Sequence, residues 1–478
     1  MDGLHTLNQQ VSGPASADFQ LLRRLELLLT ASGLLLIAAT WWLWFPDGRF
    51  PLLPLSGTLT QVPLFIDRLL SIGLIAVLAA TLFAGRRSLR LSVLIMGAAL
   101  VLLNQHRLQP WFYHLLLMNL LPGGSEQRSD VVSPQRHRER RENSAATIVL
   151  DRTGPQRGPS GAAWIRPASL RALCVSVVNH SCGIISRPRS GALLITAGIY
   201  FWSGWSKLDA TFLTGYGRQF VEVIAGAVGL SVRFLNDRDL SLLAAILPAG
   251  ELIVALLLVP ARTRNAGLKL SLVMHGLLLL AVGPFGLNHE AGVLLWNGYF
   301  ILQNLLLLRS DSNAVMAGEM PPVQMRSSAG RILIGLALLM PALRGFGLWD
   351  NWPSWAVYSA SPARVHVLIE DSAVELLPPD LRDCLEPRAV RDGWSWLRLD
   401  WWSLRSVNAP LYPQDRFQLG LVIGMARRYG LQQSVRVIHE GEADRFTGRR
   451  SRREFRGLSE LESLAGEYQL GMAERPEL

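Results

Sequence analysis

Long apolar runs separated by short polar breaks fill most of the first 350 residues of this chain. Runs at 22–44, 62–84, 91–105, 108–122, 191–206, 239–259, 268–284, 290–308 and 331–348 approach the roughly 20 residues that a helix needs to cross a bilayer. Those at 91–105, 108–122 and 191–206 are shorter or polar at one end. The pattern predicts an all-α polytopic membrane bundle of about nine spans. Two regions break it. Residues 123–190, rich in Gly, Ser, Pro and Arg, mostly lack helical periodicity and read as a disordered insertion. Within them Ala172–Val178 is apolar but too short to span, which suits an interfacial segment. Beyond Trp349 the pattern changes again. Arg364–Glu370 and Ser434–His439 alternate like half-buried strands, and between them Asp415–Tyr429 reads as a helix stopped by Gly430. The chain thus divides into N-terminal membrane helices (1–122), the insertion (123–190), further membrane helices (191–348) and a C-terminal extramembrane α/β domain (349–478).

Composition supports the membrane reading: 50% of the 478 residues are hydrophobic and 18% are charged. The net charge of +10 is mostly a topology signal. Arg86, Arg87 and Arg90, and Arg262 and Arg264 with Lys269, fall in short loops that the positive-inside rule places in the cytoplasm. Residues 45–61, where Asp47 balances Arg49, and 285–290 carry little positive charge. Nine spans then put the N-terminus in the cytoplasm and the C-terminal domain outside the cell membrane. The first apolar segment is long enough to stay as an anchor, and the polar stretch before it does not resemble a cleavable signal. Arg136–Arg141 could touch anionic headgroups, whereas nucleic-acid binding lacks aromatic or fold-level support. Cys174, Cys182 and Cys384 have no metal-ligand spacing, and a disulfide between the first two is not expected in a cytoplasmic insertion.

Candidate chemistry lies where polar groups interrupt apolar sequence. Sixteen uncharged residues, 191–206, lead into Lys207, one of two lysines beside forty-five arginines. A cation there must point at protein, water or ligand, and a desolvated lysine can act as a base. Snorkelling to the headgroups is the structural alternative. Glu251 follows Pro248 and Gly250 mid-span, and His275 also lies mid-span. Asn104, His106 and Arg107 precede Pro110-Trp-Phe-Tyr-His114 at a turn, and Asp67 with Arg68 suggests an internal ion pair. Each group taken singly suits an interhelical hydrogen bond; taken together they suggest a polar cluster inside the bundle. Trp349, Trp352 and Trp355 suit an aromatic belt where the last span leaves the bilayer. Trp394, Trp396, Trp401 and Trp402 suit core or membrane-facing positions, and the tail beyond Arg445 reads as peripheral.

Ile199-Tyr-Phe-Trp-Ser-Gly-Trp-Ser-Lys207-Leu-Asp209 through Gly215-Tyr216 resembles the signature of the vitamin K-dependent gamma-carboxylases and the related HTTM (horizontally transferred transmembrane) proteins. His275, the segment from Leu339 to Trp352, and Arg364–Glu370 resemble later parts of the same family. The likeness runs thinly over 20–120 and 190–450, and smaller quinone-linked membrane families share a shorter Gly-x-x-Lys-Leu. The resemblance implies that Lys207 is the base that takes a proton from a vitamin K-type hydroquinone. Glu251, His275 and His114 become further catalytic candidates, and Tyr113 and Trp111 become cofactor-binding candidates. It also implies the bilayer, a quinone and an extracytoplasmic polypeptide as partners. One departure matters: Trp111 stands where the family has the histidine that assists carbon dioxide addition, and indole cannot take a proton. Unless His114 substitutes from one helical turn away, a quinol- or lipid-dependent reaction other than glutamate carboxylation is expected. The alternative is a non-catalytic protein that binds lipid or quinone or scaffolds a partner.

Overall fold

A computed structural model describes residues 14–121, 188–314, 328–390 and 393–476. Nearly all of the predicted insertion, with Cys174 and Cys182, lies outside the described residues. Ten main helices build the first part: α1 Pro14–Ala39, α2 Leu64–Phe83, α3 Arg87–Leu103, α4 Pro110–Asn119, α5 Pro188–Lys207, α6 Tyr216–Ala227, α7 Asp237–Leu258, α8 Arg264–Val282, α9 Ala291–Ala314 and α10 Ser328–Leu339. Among the described residues, five helical segments are long and apolar enough to cross a membrane: Leu64–Phe83, Asp237–Leu258, Arg264–Val282, Ala291–Arg309 and Ala329–Phe346. The ten residues of α4 extend only about 15 Å. Most of them are buried, so α4 is an internal helix set among longer ones.

The membrane helices turn their polar residues inward. On α2, Phe65, Leu69 and Ile72 are exposed, while Asp67, Ser71, Leu74, Leu78 and Thr81 are buried. Against hydrocarbon, an apolar outer face costs nothing, and each inward polar group must find a partner in the bundle. Asp67 does so, though not with Arg68. Its carboxylate accepts from Arg107 Nη2 at 2.6 Å and Nη1 at 3.0 Å, and from Arg475 Nη1 at 2.9 Å. Arg68 reaches instead toward the Pro46 carbonyl, 3.5 Å away.

The C-terminal part carries a five-stranded sheet in the order β2-β3-β1-β4-β5. The strands are β1 Arg364–Glu370, β2 Leu385–Val390, β3 Trp394–Leu397, β4 Val435–Glu440 and β5 Arg452–Arg456. Every pairing is antiparallel, with Val367 of β1 opposite both Leu397 and Val437. The mixture is therefore helices packed on an antiparallel sheet, without the parallel crossovers of an α/β fold. Helices α12 Asp415–Arg428 and α13 Gly457–Ala465 pack against it, and α11 Leu399–Val407 follows β3 and contacts the 41–44 turn of the bundle. Helix α12 is buried along its length from Arg416 to Ala426. It ends before Gly430, whose φ of 67° is the left-handed conformation that glycine adopts most cheaply.

One apolar cluster runs from Leu29, Leu74 and Phe112 in the membrane helices to Val367, Phe417 and Val437 in the domain. Two features close this junction. Trp352 and Trp355 are buried in it, with Trp352 edge-on to Tyr412 at 5.0 Å, so they are core and not an aromatic belt. Trp402 is buried likewise and donates to the Arg49 carbonyl. The tail also returns to the bundle and is not peripheral. Gly471 N–H donates to the Leu55 carbonyl, Arg475 N–H to the Leu52 carbonyl, and Arg475 is 1% exposed.

Candidate functional site

Helix α5 presents Tyr200, Ser203 and Lys207 on one side, because positions separated by three, four and seven residues share a helical face. Between them sits Gly204. A Cβ there would lie 2.8 Å from the Pro248 carbonyl oxygen and 3.1 Å from Glu251 Cβ. The missing side chain lets α5 and α7 approach closely, as small residues do between membrane helices. Pro248, inside α7, cannot donate a helical hydrogen bond, and its carbonyl lies against Gly204.

The approach brings Lys207 and Glu251 together. Lys207 Nζ donates to Glu251 Oε1 at 2.9 Å, to Oε2 at 3.0 Å and to Ser203 Oγ at 2.6 Å. Lys207 is 6% and Glu251 7% exposed, so the lysine does not snorkel to water. Three acceptors match the three N–H bonds of an ammonium, whereas a neutral amine has two. The arrangement is thus an ion pair held in the bundle, and Glu251 keeps lone pairs for another donor.

Beside it runs a second chain of hydrogen bonds. Asn297 Nδ2 donates to the Val293 carbonyl, which leaves its Oδ1 to accept from His275 Nδ1 at 2.9 Å. With hydrogen on Nδ1, His275 Nε2 accepts from the Tyr200 hydroxyl at 2.9 Å. Asn304 Nδ2 in turn donates to the Tyr200 oxygen at 2.8 Å and to Ser271 Oγ at 2.9 Å. Phe300 stacks on His275 at 5.0 Å and on His114 at 5.3 Å, both within 6° of parallel.

A cavity of about 670 Å³ opens beside these groups, between the membrane helices and the C-terminal part. Of the six candidate residues, Lys207, Glu251, His275 and Trp111 line it; Tyr113 and His114 do not. Tyr113 packs on Trp355 at 5.0 Å. His114 is fully buried among Tyr299, Phe300 and Trp355, and neither ring nitrogen has a hydrogen-bond partner among the described residues. Among the described residues it makes no hydrogen bond to the Lys207 pair.

Tyr200, Ser203 and Asn297 are site residues that single-position reading overlooks. The signal was the helical period: Tyr200 lies two turns before Lys207, and Asn297 two turns before Asn304. No group of three or more metal-ligating side chains occurs among the described residues.

Part of the cavity lining is backbone under strain. Asn288, Trp355, Tyr358 and Asn408 have φ of 50°, 58°, 60° and 52°, and they are the positive-φ residues other than glycine among those described. All four line the cavity. Left-handed backbone is a true outlier for Trp and Tyr and costs about 1–3 kcal/mol each, and such strain gathers at ligand sites. Burial holds His289, also in the lining, below the usual histidine range, against an opposing pull from Glu290. Burial likewise pushes the Tyr358 phenol above its usual range, with the Glu290 charge adding to the shift, so it stays a hydrogen-bond donor at neutral pH.

No protein-family model, curated protein or solved structure matches the chain.

Proposed function

We propose that this chain is an HTTM-like multi-pass membrane protein of about nine spans that takes a quinol- or lipid-like amphiphile into the cavity at Lys207 and Glu251. In that topology the N-terminus is cytoplasmic and the C-terminal domain lies outside the cell membrane. The observation that carries the reading is a carboxylate, anchored by an ammonium, on the wall of a largely apolar cavity among membrane helices. Apolar walls with a few placed polar groups are the usual make-up of a small-molecule site. A quinol would supply an acidic hydroxyl and reducing equivalents. The residues present fit such a group: Glu251 has lone pairs to accept from the hydroxyl, and Trp296 and Phe300 offer flat apolar surfaces.

Lys207 and Glu251 act together as the base in this reading. The ligand proton goes either to the carboxylate directly or to Lys207 after the ammonium has passed a proton to Glu251 across 2.9 Å. Both routes end with an anionic ligand oxygen beside a site that has gained one proton. Carboxylation of glutamate is left out, because Trp111 cannot take the histidine's part and His114 lies away from the cavity lining. The test is quinol oxidation under oxygen by the purified protein in detergent, beside Lys207→Ala, with menaquinol, ubiquinol and vitamin K hydroquinone. Activity abolished by the substitution is expected; no activity in either protein would sink the enzymatic reading. A second reading, binding without chemistry, is favoured by one observation: all three donors of Lys207 already have acceptors within the protein.

A further inference from the structure

A loop of the C-terminal part is fastened to the end of α5. Residues 444–449, between β4 and β5, close on themselves: Asp444 N–H donates to the Arg449 carbonyl and Gly448 N–H to the Asp444 carbonyl. Asp444 Oδ1 accepts from Phe446 N–H at 3.1 Å, from Thr447 N–H at 2.8 Å and from Thr447 Oγ1 at 2.7 Å. Arg445 then caps α5, because its Nη2 donates to the Trp205 carbonyl at 2.7 Å and its Nε to the Leu208 carbonyl at 2.9 Å. Its guanidinium also lies 4.0 Å from the centre of the Trp205 ring. The Arg445 carbonyl accepts from Ala210 N–H, and a Cβ on Gly448 would lie 3.3 Å from Thr211 Cγ2.

That attachment sets the depth of the loop. Helices α5 and α7 run antiparallel, with Leu193 and Ala197 clustered with Ala255 and Leu258, and Gly204 against Pro248. From the Gly204 contact α7 continues about 16 Å to its start at Asp237, whereas α5 continues only about 5 Å to its end at Lys207. Asp237–Leu258 is apolar and long enough to cross a membrane, so the loop caps a helix that stops short of the end of that span. Phe201 and Trp205 of α5 are 38% and 46% exposed and stack 6.4 Å apart, an apolar face turned away from the bundle. Phe446 is 87% exposed. One exposed phenylalanine on a surface bathed in water would mean little; at this level the edge of the bilayer surrounds the protein. Arg449 and Arg452 are exposed and make no ion pair among the described residues, whereas Arg453 and Arg456 pair with Glu467 and Glu454.

We propose that this loop is a membrane-surface anchor. Phe446 inserts into the leaflet on the side of the C-terminal part, and Arg449 and Arg452 bind the headgroups of anionic phospholipids. Aromatic and basic side chains side by side are the composition of segments that lie in the interface. The occupant is lipid and not a partner protein. A six-residue loop offers far less than the roughly 800 Å² per side of a stable protein complex, whereas inserting one ring needs no such area. The inference holds whatever occupies the cavity and whichever side of the membrane carries the C-terminal part.

Spin labelling of the full-length protein in nanodiscs reads the depth of the loop. Cys174→Ser and Cys182→Ser remove two thiols, and buried Cys384 is checked for labelling in that parent. A nitroxide is attached through Phe446→Cys or, for reference, through Ser459→Cys. Ser459 is exposed on α13, just past Arg456, and the β4–β5 pairing puts Arg456 at the opposite end of the hairpin from the loop. Both positions are exposed, so neither substitution disturbs the core, and unfolding temperatures check this. At 446, collisions with oxygen, which concentrates in the bilayer, should exceed those with a water-soluble nickel chelate severalfold; at 459 the order should reverse. The 446 label should sit deeper in discs of phosphatidylcholine with phosphatidylglycerol than in phosphatidylcholine alone. Arg449→Gln with Arg452→Gln should abolish that difference. Water-like collisions at 446 in both lipids would overturn the anchor. Insertion that ignores phosphatidylglycerol, or a response that survives loss of both arginines, would overturn the binding of anionic headgroups.

Discussion

Lys207 and Glu251 meet across α5 and α7 because Gly204, one turn before the lysine, has no side chain to hold the helices apart. A valine at 204 would drive its Cβ into the Pro248 carbonyl, which cannot move without bending α7. Gly204→Val should cost about 1–3 kcal/mol through overpacking. It should also widen the Lys207–Glu251 separation and weaken any probe bound between them. Thermal unfolding and menaquinol titration on the same preparation check both parts; unchanged values for both would show that the glycine does not set the approach.

The pair itself permits a sharper separation of stability from function. Removing one partner leaves a buried charge alone, so Lys207→Met and Glu251→Leu should each destabilise the bundle by about 3–5 kcal/mol. The double variant replaces both charges with apolar side chains of similar size and should recover most of that loss. Ligand binding or turnover should not recover in the double variant if Glu251 accepts from the ligand. Recovery of function along with stability would mean that the pair is only a structural tie.

Asp67 makes an analogous case at the base of the C-terminal part, joining positions 408 residues apart in sequence. It answers both Arg107 and Arg475, and all three side chains are shut away from solvent. Asp67→Asn should therefore cost about 3–5 kcal/mol, as for breaking other buried ion pairs. Removing the segment from Gly471 onward should leave Asp67 paired with Arg107 alone and expose Leu52 and Leu55, whose carbonyls the tail occupies. Limited proteolysis in detergent reads this: the truncated chain should be cut faster near 49–56, and identical digestion would contradict the docking of the tail.

How much of this was legible in sequence depends on the range over which each signal acts. Local period sufficed for β1, for β4 within one residue, and for α12 ending before Gly430, because alternation and capping are properties of neighbours. It also placed Glu251 and His275 mid-span and Lys207 at the end of a span, where a polar group must find a partner. Which partner each finds is set by helix packing. Sequence proximity suggests an ion pair of Asp67 with adjacent Arg68, yet neighbours on a helix point apart, and the true partners arrive from a distant turn and from the tail. Tryptophan near the end of a span suggested a lipid interface; a domain docked on that end makes the same residues core. The α4 segment shows the limit of counting apolar runs, since a ten-residue internal helix and part of a span look alike in composition.

His106 gives the junction between bundle and domain a dependence on acid. It sits in the turn after α3, fully buried, with Phe50 and Phe417 rings each 5.3 Å away. Its Nε2 lies 2.8 Å from the Pro410 carbonyl, and Nδ1 has no partner among the described residues. Burial lowers its pKa to about 4; the Pro410 hydrogen bond opposes this and the Arg107 charge adds to it. In the unfolded chain the same histidine titrates near 6.5. Above that pH both states are neutral here and the group has no effect. As pH falls below about 6.5 the unfolded chain binds a proton that the folded one refuses, so stability is lost progressively down to about 4. The full loss is on the order of 3 kcal/mol. Asp415 works in the same direction at lower pH. Burial raises its carboxyl, but hydrogen bonds from His439, Tyr468 and the Arg416 backbone outweigh burial and hold it below the usual range, so its contribution goes only in stronger acid. His106→Phe keeps an aromatic ring against Phe50 and Phe417 and removes the titration. The difference in unfolding temperature between pH 7.5 and pH 5 should therefore be smaller in this variant than in wild type, whatever other groups contribute to both. Equal differences in the two proteins would show that His106 is hydrated in the folded state and does not carry this acid sensitivity.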